Sequence, residues 1–298
     1  MARPERCVRP RPRRLHRVRP LPGRPACVGV NPDGLTGVTI SASLRGPSPV
    51  EGGRPVGLAL LVLAVVVGVL IGMVGVGGVL LPPGLVALGD LTANEATATS
   101  TWAFVFTGVV GTVAYAWRGV VPWGMLAGLT VGVAPAAFLG ALINARLPAS
   151  VVLLGLAALT LFVGVQQLRP RAVRGTREGL GAAALVALGA FVGFGSALTG
   201  TGGPVLLVPM LLTLGVAPLR AVAVSQAVQL PVVVAGSVGY LQTDLVDIRL
   251  GTVLGCLAAL GVAAGSVVAT RIPAEGLRRI VAVACLAAGV FLVVRAAV

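Results

Sequence analysis

The chain has 298 residues, 56% of them hydrophobic and 11% charged, with a mean hydropathy of +0.99. Soluble domains carry about 25% charged residues, so an ordinary soluble protein is excluded, and the lack of alternating strand patterns excludes a transmembrane β-barrel. The formal net charge of +14 is unevenly held, since residues 1–55 carry 11 of the 23 basic and 3 of the 9 acidic residues. Every basic residue is an arginine.

Residues 1–55 contain arginine-proline clusters and then a Gly/Ser/Pro-rich stretch without apolar periodicity, which reads as a disordered tail. No apolar core follows the basic residues before residue 56, so it is not a secretory signal. From residue 56 the chain divides into a first membrane repeat (56–168), a basic linker (169–178) and a second membrane repeat (179–298). An ungapped shift of 125 aligns the repeats, pairing Gly75 with Gly200, Ser100 with Ser225, Tyr115 with Tyr240, Arg146 with Arg271 and Pro148 with Pro273.

Each repeat reads as five apolar segments: 57–74, 79–89, 96–117, 122–143 and 150–168 in the first, and 181–199, 204–215, 219–241, 247–270 and 276–297 in the second. A helix needs about 20 apolar residues to cross a hydrocarbon core of about 30 Å. The second segment of each repeat is too short to cross alone and reads as a half-helix or re-entrant piece. The fold class is therefore an all-α polytopic membrane protein of two homologous repeats. Trp117 and Trp123 flank the turn around Arg118, as interfacial aromatics do. Arg169, Arg171, Arg174 and Arg177 place the linker on the cytoplasmic side. With four crossings per repeat the repeats are parallel; with five they are inverted. The short second segment and the charged tail favour eight full spans, with five plus five inverted spans as the alternative.

The second segment of each repeat opens on a glycine break, Gly75-Val76-Gly77-Gly78 and Gly200-Thr201-Gly202-Gly203. Paired breaks at matching places in two hydrophobic repeats point to a transporter's binding site. Glycine lets the chain leave helical geometry, and freed backbone N–H groups at the start of a half-helix suit an anion. The candidate binding residues are Gly75, Gly77, Gly78, Gly200, Thr201, Gly202 and Gly203. Simple close packing of helices is the competing reading of the same glycines. The third segments add Ser100 and Thr101, matched by Ser225 and Gln226, with Gln229 one turn on. Such hydroxyls and amides donate to oxyanions without burying a charge, although Ser and Thr also bond back to their own helix. Asp244, Asp247 and Arg249 form a small charged cluster at the second repeat's third turn, readable as a gate or as a solvated loop.

No acid or arginine stands at the centre of a predicted span, which argues against a cation pump with a carboxylate relay. The single histidine, His16, lies in the tail, and Cys7, Cys27, Cys256 and Cys285 show no metal spacing. No catalytic residue, metal or cofactor is assigned, and an enzyme is not expected. The residues alone give a carrier for a small anionic solute in a lipid bilayer, with no nucleic-acid partner. An anion channel and a non-transporting membrane assembly protein are the alternatives.

The duplicated GxGG-then-proline element, the Ala-x-Ala-x-Ser stretches at Ala96–Ser100 and Ala221–Ser225, and the length resemble the sulfite exporter TauE/SafE family, over residues 56–298. The run from Gly200 to Pro209 has the family spacing, whereas the first copy departs from it at Val79 and at Pro82-Pro83. The resemblance implies a secondary carrier of the bacterial cytoplasmic membrane that moves sulfite, sulfoacetate or other sulfonates, with carboxylates also in range. Coupling to a proton or sodium ion, and a homodimer, stay open.

Overall fold

The computed structural model describes residues 57–168, 181–268 and 274–297. The arginine-rich tail, the basic linker, Arg271 and Pro273 lie outside the described residues.

Within the first repeat, α1 (Leu58–Val74) is followed by a 3-10 turn (Gly77–Leu80), α2 (Leu81–Leu88), α3 (Ala93–Trp117), α4 (Trp123–Arg146) and α5 (Ala149–Leu168). The second repeat gives α6 (Ala182–Thr199), α7 (Pro204–Thr213), α8 (Pro218–Leu241), α9 (Ile248–Val268) and α10 (Ala274–Ala297). Seven of the described helices are long and apolar enough to cross a membrane. α3 starts three residues before the apolar periodicity does (93 against 96) because Thr92 and Glu95 form a capping box. The Thr92 hydroxyl accepts from Glu95 N–H and the Glu95 carboxylate accepts from Thr92 N–H. The helices end where the apolar pattern ends because glycine supplies the left-handed residue: Gly75 and Gly200 close α1 and α6 at φ 77° and 63°.

The repeats interlock. α1 packs on α9 and α6 on α4; α3 packs on α9 and α8 on α4; α3 meets α8, and α5 meets α10. Exchanging the repeats (α1 for α6, α3 for α8, α4 for α9, α5 for α10) maps this set of contacts onto itself. Glycine faces make the approach close: a Cβ at Gly68 would lie 2.0 Å from the Ala258 carbonyl oxygen, and one at Gly132 would lie 2.0 Å from that of Val186. With no water to expel between helices in lipid, van der Waals contact at such small-residue faces supplies the adhesion. The outward faces carry exposed Val62, Val131, Leu154, Phe191, Leu260 and Val290, as a lipid-facing surface requires.

The direction of the helices corrects the preference for four crossings and parallel repeats. α2 runs back along α1, with Gly77 against Leu70, Gly84 against Leu63 and Gly89 beside Leu60. α1 and α2 thus form a hairpin, and α3 starts from the side on which α1 started. The equivalent helices α3 and α8 lie antiparallel: Thr101 faces Gly236, Gly108 faces Gln229 and Leu230, and Gly111 faces Gln226. Equivalent helices pointing in opposite directions are the mark of inverted repeats, the alternative to the eight-span arrangement that the short second segment and the charged tail favour. The short second segment behaves as the sequence indicated, and its return is what leaves each repeat with an odd number of further helices.

Candidate functional site: the junction of the two glycine breaks

The two breaks are built differently. In the second, Gly200, Gly202 and Gly203 all have positive φ (63°, 78° and 102°), and Pro204 then opens α7. A residue with a Cβ is strained at each of these positions. Thr201 N–H is held by the Ser196 carbonyl at 3.2 Å, while Gly202 and Gly203 N–H make no backbone hydrogen bond. In the first break only Gly75 has positive φ, and Gly77 and Gly78 wind into the 3-10 turn. The departure at Val79 and the proline pair is therefore a real difference in backbone shape.

The breaks touch. A Cβ at Gly78 would lie 3.1 Å from the Thr201 carbonyl oxygen and 3.3 Å from the Phe104 ring, and one at Gly202 would lie 3.2 Å from the same ring. Phe104, fully buried on α3, forms the floor shared by both. α8 supplies the polar wall. Gln226 reaches toward both the first break and α3: its Nε2 lies 3.4 Å from the Cβ position of Gly75, and its Oε1 lies 2.6 Å from that of Gly111. Gln229 reaches the second break, its Nε2 3.6 Å from the Cβ position of Gly202. That Nε2 donates to Thr107 Oγ1 at 2.8 Å and to the Phe104 carbonyl at 3.5 Å.

Gln226 and Gln229 are 1% and 2% exposed, yet Gln226 Nε2, Gln226 Oε1 and Gln229 Oε1 have no hydrogen-bond partner. A buried polar group left unsatisfied costs about 1–3 kcal/mol. A polar ligand that supplied the missing partners would recover that energy.

The hydroxyls contribute less than their spacing implied. Thr101 donates to the Thr97 carbonyl at 2.8 Å and Ser225 to that of Ala221 at 2.6 Å, so both bond back to their own helices. Ser100 shares its proton between Thr97 O at 2.9 Å and Gly200 O at 3.1 Å, pinning the end of α6 to α3. Thr201 Oγ1 lies 3.1 Å from Thr199 Oγ1. Asp247 of the charged cluster accepts Leu250 N–H at 2.9 Å at the start of α9, and its own N–H donates to Thr99 Oγ1 at 3.1 Å, a capping arrangement.

Several members of the site carry no obvious sequence signal. Phe104 occupies the place equivalent to Gln229, and Thr107, one turn further along α3, is equivalent to Val232. Asn144 Nδ2 donates to the Leu198 carbonyl at 2.7 Å, just before the second break, and Asn94 Nδ2 donates to the Asn144 carbonyl at 2.7 Å. Tyr240 OH donates to the Ala197 carbonyl. Asn144 on α4 and Tyr240 on α8 thus fix the end of α6, and Asn94 on α3 holds Asn144 in place.

Long apolar helices surrounding a buried polar junction of two broken segments define a multi-pass membrane protein of the transporter class. A family model described as Sulfite exporter TauE/SafE matches residues 60–292, and the chain belongs to that family of membrane transporters. No curated protein and no solved structure gives a match.

Proposed function

We propose that the protein is a secondary carrier for small anions, sulfur-containing ones first (sulfite, sulfoacetate and other organosulfonates), which it holds where the two glycine breaks meet. The observation that carries this reading is the unsatisfied Gln226 amide, sealed in the junction beside Gly75. Anion oxygens accept from Gly202 N–H, Gly203 N–H and Gln226 Nε2, and the N-terminus of α7 adds its partial positive charge. No arginine is needed, which keeps the desolvation cost low and lets the substrate leave.

The substrate residues are buried on all sides, so access requires the helices of one side to part while the other side stays closed. Inverted repeats supply two such states of similar construction: in one, α1 and α9 move from α3 and α8; in the other, α6 and α4 do. The location proposed for it is the bacterial cytoplasmic membrane. A flux screen of sulfite, thiosulfate, sulfonates and short carboxylates in proteoliposomes, with and without a proton gradient, tests the reading. A carrier gives saturable uptake and counter-transport of a preloaded anion. Unsaturable flux without counter-transport would identify a channel, and no flux of any anion would remove the transport reading.

A further inference from the structure

We infer that the transported species is an oxyanion that brings a hydrogen-bond donor of its own: hydrogensulfite, or a sulfonate bearing a hydroxyl or amine. The inference rests on the junction being the substrate site. It comes from the sense in which the amides are held. Thr107 Oγ1 donates its only proton to the Phe104 carbonyl at 3.1 Å, so toward Gln229 it can only accept. That compels Gln229 to present Nε2 to it, at 2.8 Å, and leaves Gln229 Oε1 as a buried acceptor without a donor. Gln226, one turn earlier on the same face of α8, adds an amide with both atoms unpartnered.

The junction thus sets one unpartnered carbonyl oxygen, Gln229 Oε1, alongside its N–H donors, while Gln226 Oε1 lies against Gly111 on α3. A fully deprotonated anion satisfies the donors but sets its negative oxygens against the lone pairs of Gln229 Oε1, and that acceptor stays unsatisfied at its full desolvation cost. A monoanion with one O–H or N–H satisfies both sets. Its charged oxygens take Gly202 N–H, Gly203 N–H and Gln226 Nε2, and its proton goes to Gln229 Oε1. Sites built around a specific hydrogen bond reject analogues that lack the partner far more strongly than apolar pockets reject a missing methylene.

The test uses the full-length protein in proteoliposomes and two probe comparisons. The first sets ethanesulfonate against 2-hydroxyethanesulfonate, which differ by one donor at equal charge. The hydroxylated anion should compete at least about tenfold better, the scale of one buried hydrogen bond. The second follows sulfite uptake from mildly acidic to mildly alkaline conditions, where it should fall with the hydrogensulfite fraction. Among the described residues, Glu95 and Tyr115 on α3 with Arg118 at its end, Arg146 on α4, Arg220 and Tyr240 on α8, and Arg249 and Cys256 on α9 with Asp247 just before it are the titratable groups of the helices packed here. None of them hydrogen-bonds to either glutamine: Glu95 caps α3, Arg118 donates to Ser266 O and Tyr240 to Ala197 O. The pH profile therefore reads the substrate. Thr107→Val frees the Gln229 amide to turn over and should bring the preference toward unity, whereas Gln226→Met, which leaves Gln229 Oε1 in place, should weaken both sulfonates alike and keep the preference. Thr107→Val is nearly isosteric, which keeps one arm on a folded protein. Equal transport of both sulfonates, or an unchanged preference in Thr107→Val, overturns the inference while leaving the carrier reading intact. A protein that moves none of the probes overturns both.

Discussion

Gly202→Leu abolishes transport while the protein still inserts and folds around its long helices; that is the first expected result. Gly202 sits at φ 78°, a region costing an L-residue about 1–2 kcal/mol, and its Cβ would lie 3.2 Å from the buried Phe104 ring. A leucine there fills the space between the breaks and turns the Gly202 and Gly203 N–H groups away from the ligand. Charge-assisted hydrogen bonds contribute about 1.5–3 kcal/mol each. Loss of two lowers affinity by at least about two orders of magnitude. Initial rates of anion uptake, normalised to folded protein by size-exclusion chromatography, measure it. Gly202→Ala should fall between wild type and Gly202→Leu, because it adds the strain without filling the junction. A normally transporting Gly202→Leu protein would show that the breaks serve helix packing alone.

The second large effect is structural. Gly132→Leu on α4 places a side chain where a Cβ alone would come within 2.0 Å of the Val186 carbonyl oxygen and 2.8 Å of Ala190 N on α6. Backbone cannot yield as a side-chain tip does, so the helices must separate. The cost is about 3 kcal/mol, the upper end for an overpacked core, and it appears as a lower thermal midpoint in detergent. Gly155→Leu on α5 is the matched control: nothing lies within 4 Å of its Cβ position, and the change should stay within about 0.5 kcal/mol. Equal behaviour of the two variants would remove the close α4–α6 approach from the account. The same argument applies to Gly68 against Ala258, since the contact is repeated between α1 and α9.

Much of this architecture is written in local pattern. The ten apolar segments fall on the observed helices to within three residues wherever the chain is described, the widest differences being Ala93 against 96 and Arg146 against 143. The breaks announce themselves because Gly-x-Gly-Gly interrupts a hydrophobic run twice at one offset. Partner choice is less legible. α1 is apolar on every face and α4, α6 and α9 carry only scattered polar residues, so nothing in their periodicity says that α1 seeks α9 rather than a helix of its own repeat; only the spacing of Gly68 and Gly72 hints at a close-contact face. Repeat direction does not follow from the arginines, because the α1–α2 hairpin reverses the chain without adding any to weigh. Gln226 and Gln229 were visible as buried amides in need of partners. Thr101 and Ser225 were not separable from them by spacing, since a helix interior offers their hydroxyls a carbonyl four residues back.

The central claim, that the touching breaks form a site opened alternately to the two sides of the membrane, is tested most directly by thiol accessibility. Thr201→Cys in a protein otherwise lacking Cys7, Cys27, Cys256 and Cys285 puts one reporter at the junction. A membrane-impermeant thiol reagent, applied to one face and then the other, should label this position from both, and a transported anion should protect it from both. Labelling from one face only, or none from either face in a variant that still transports, would contradict the account.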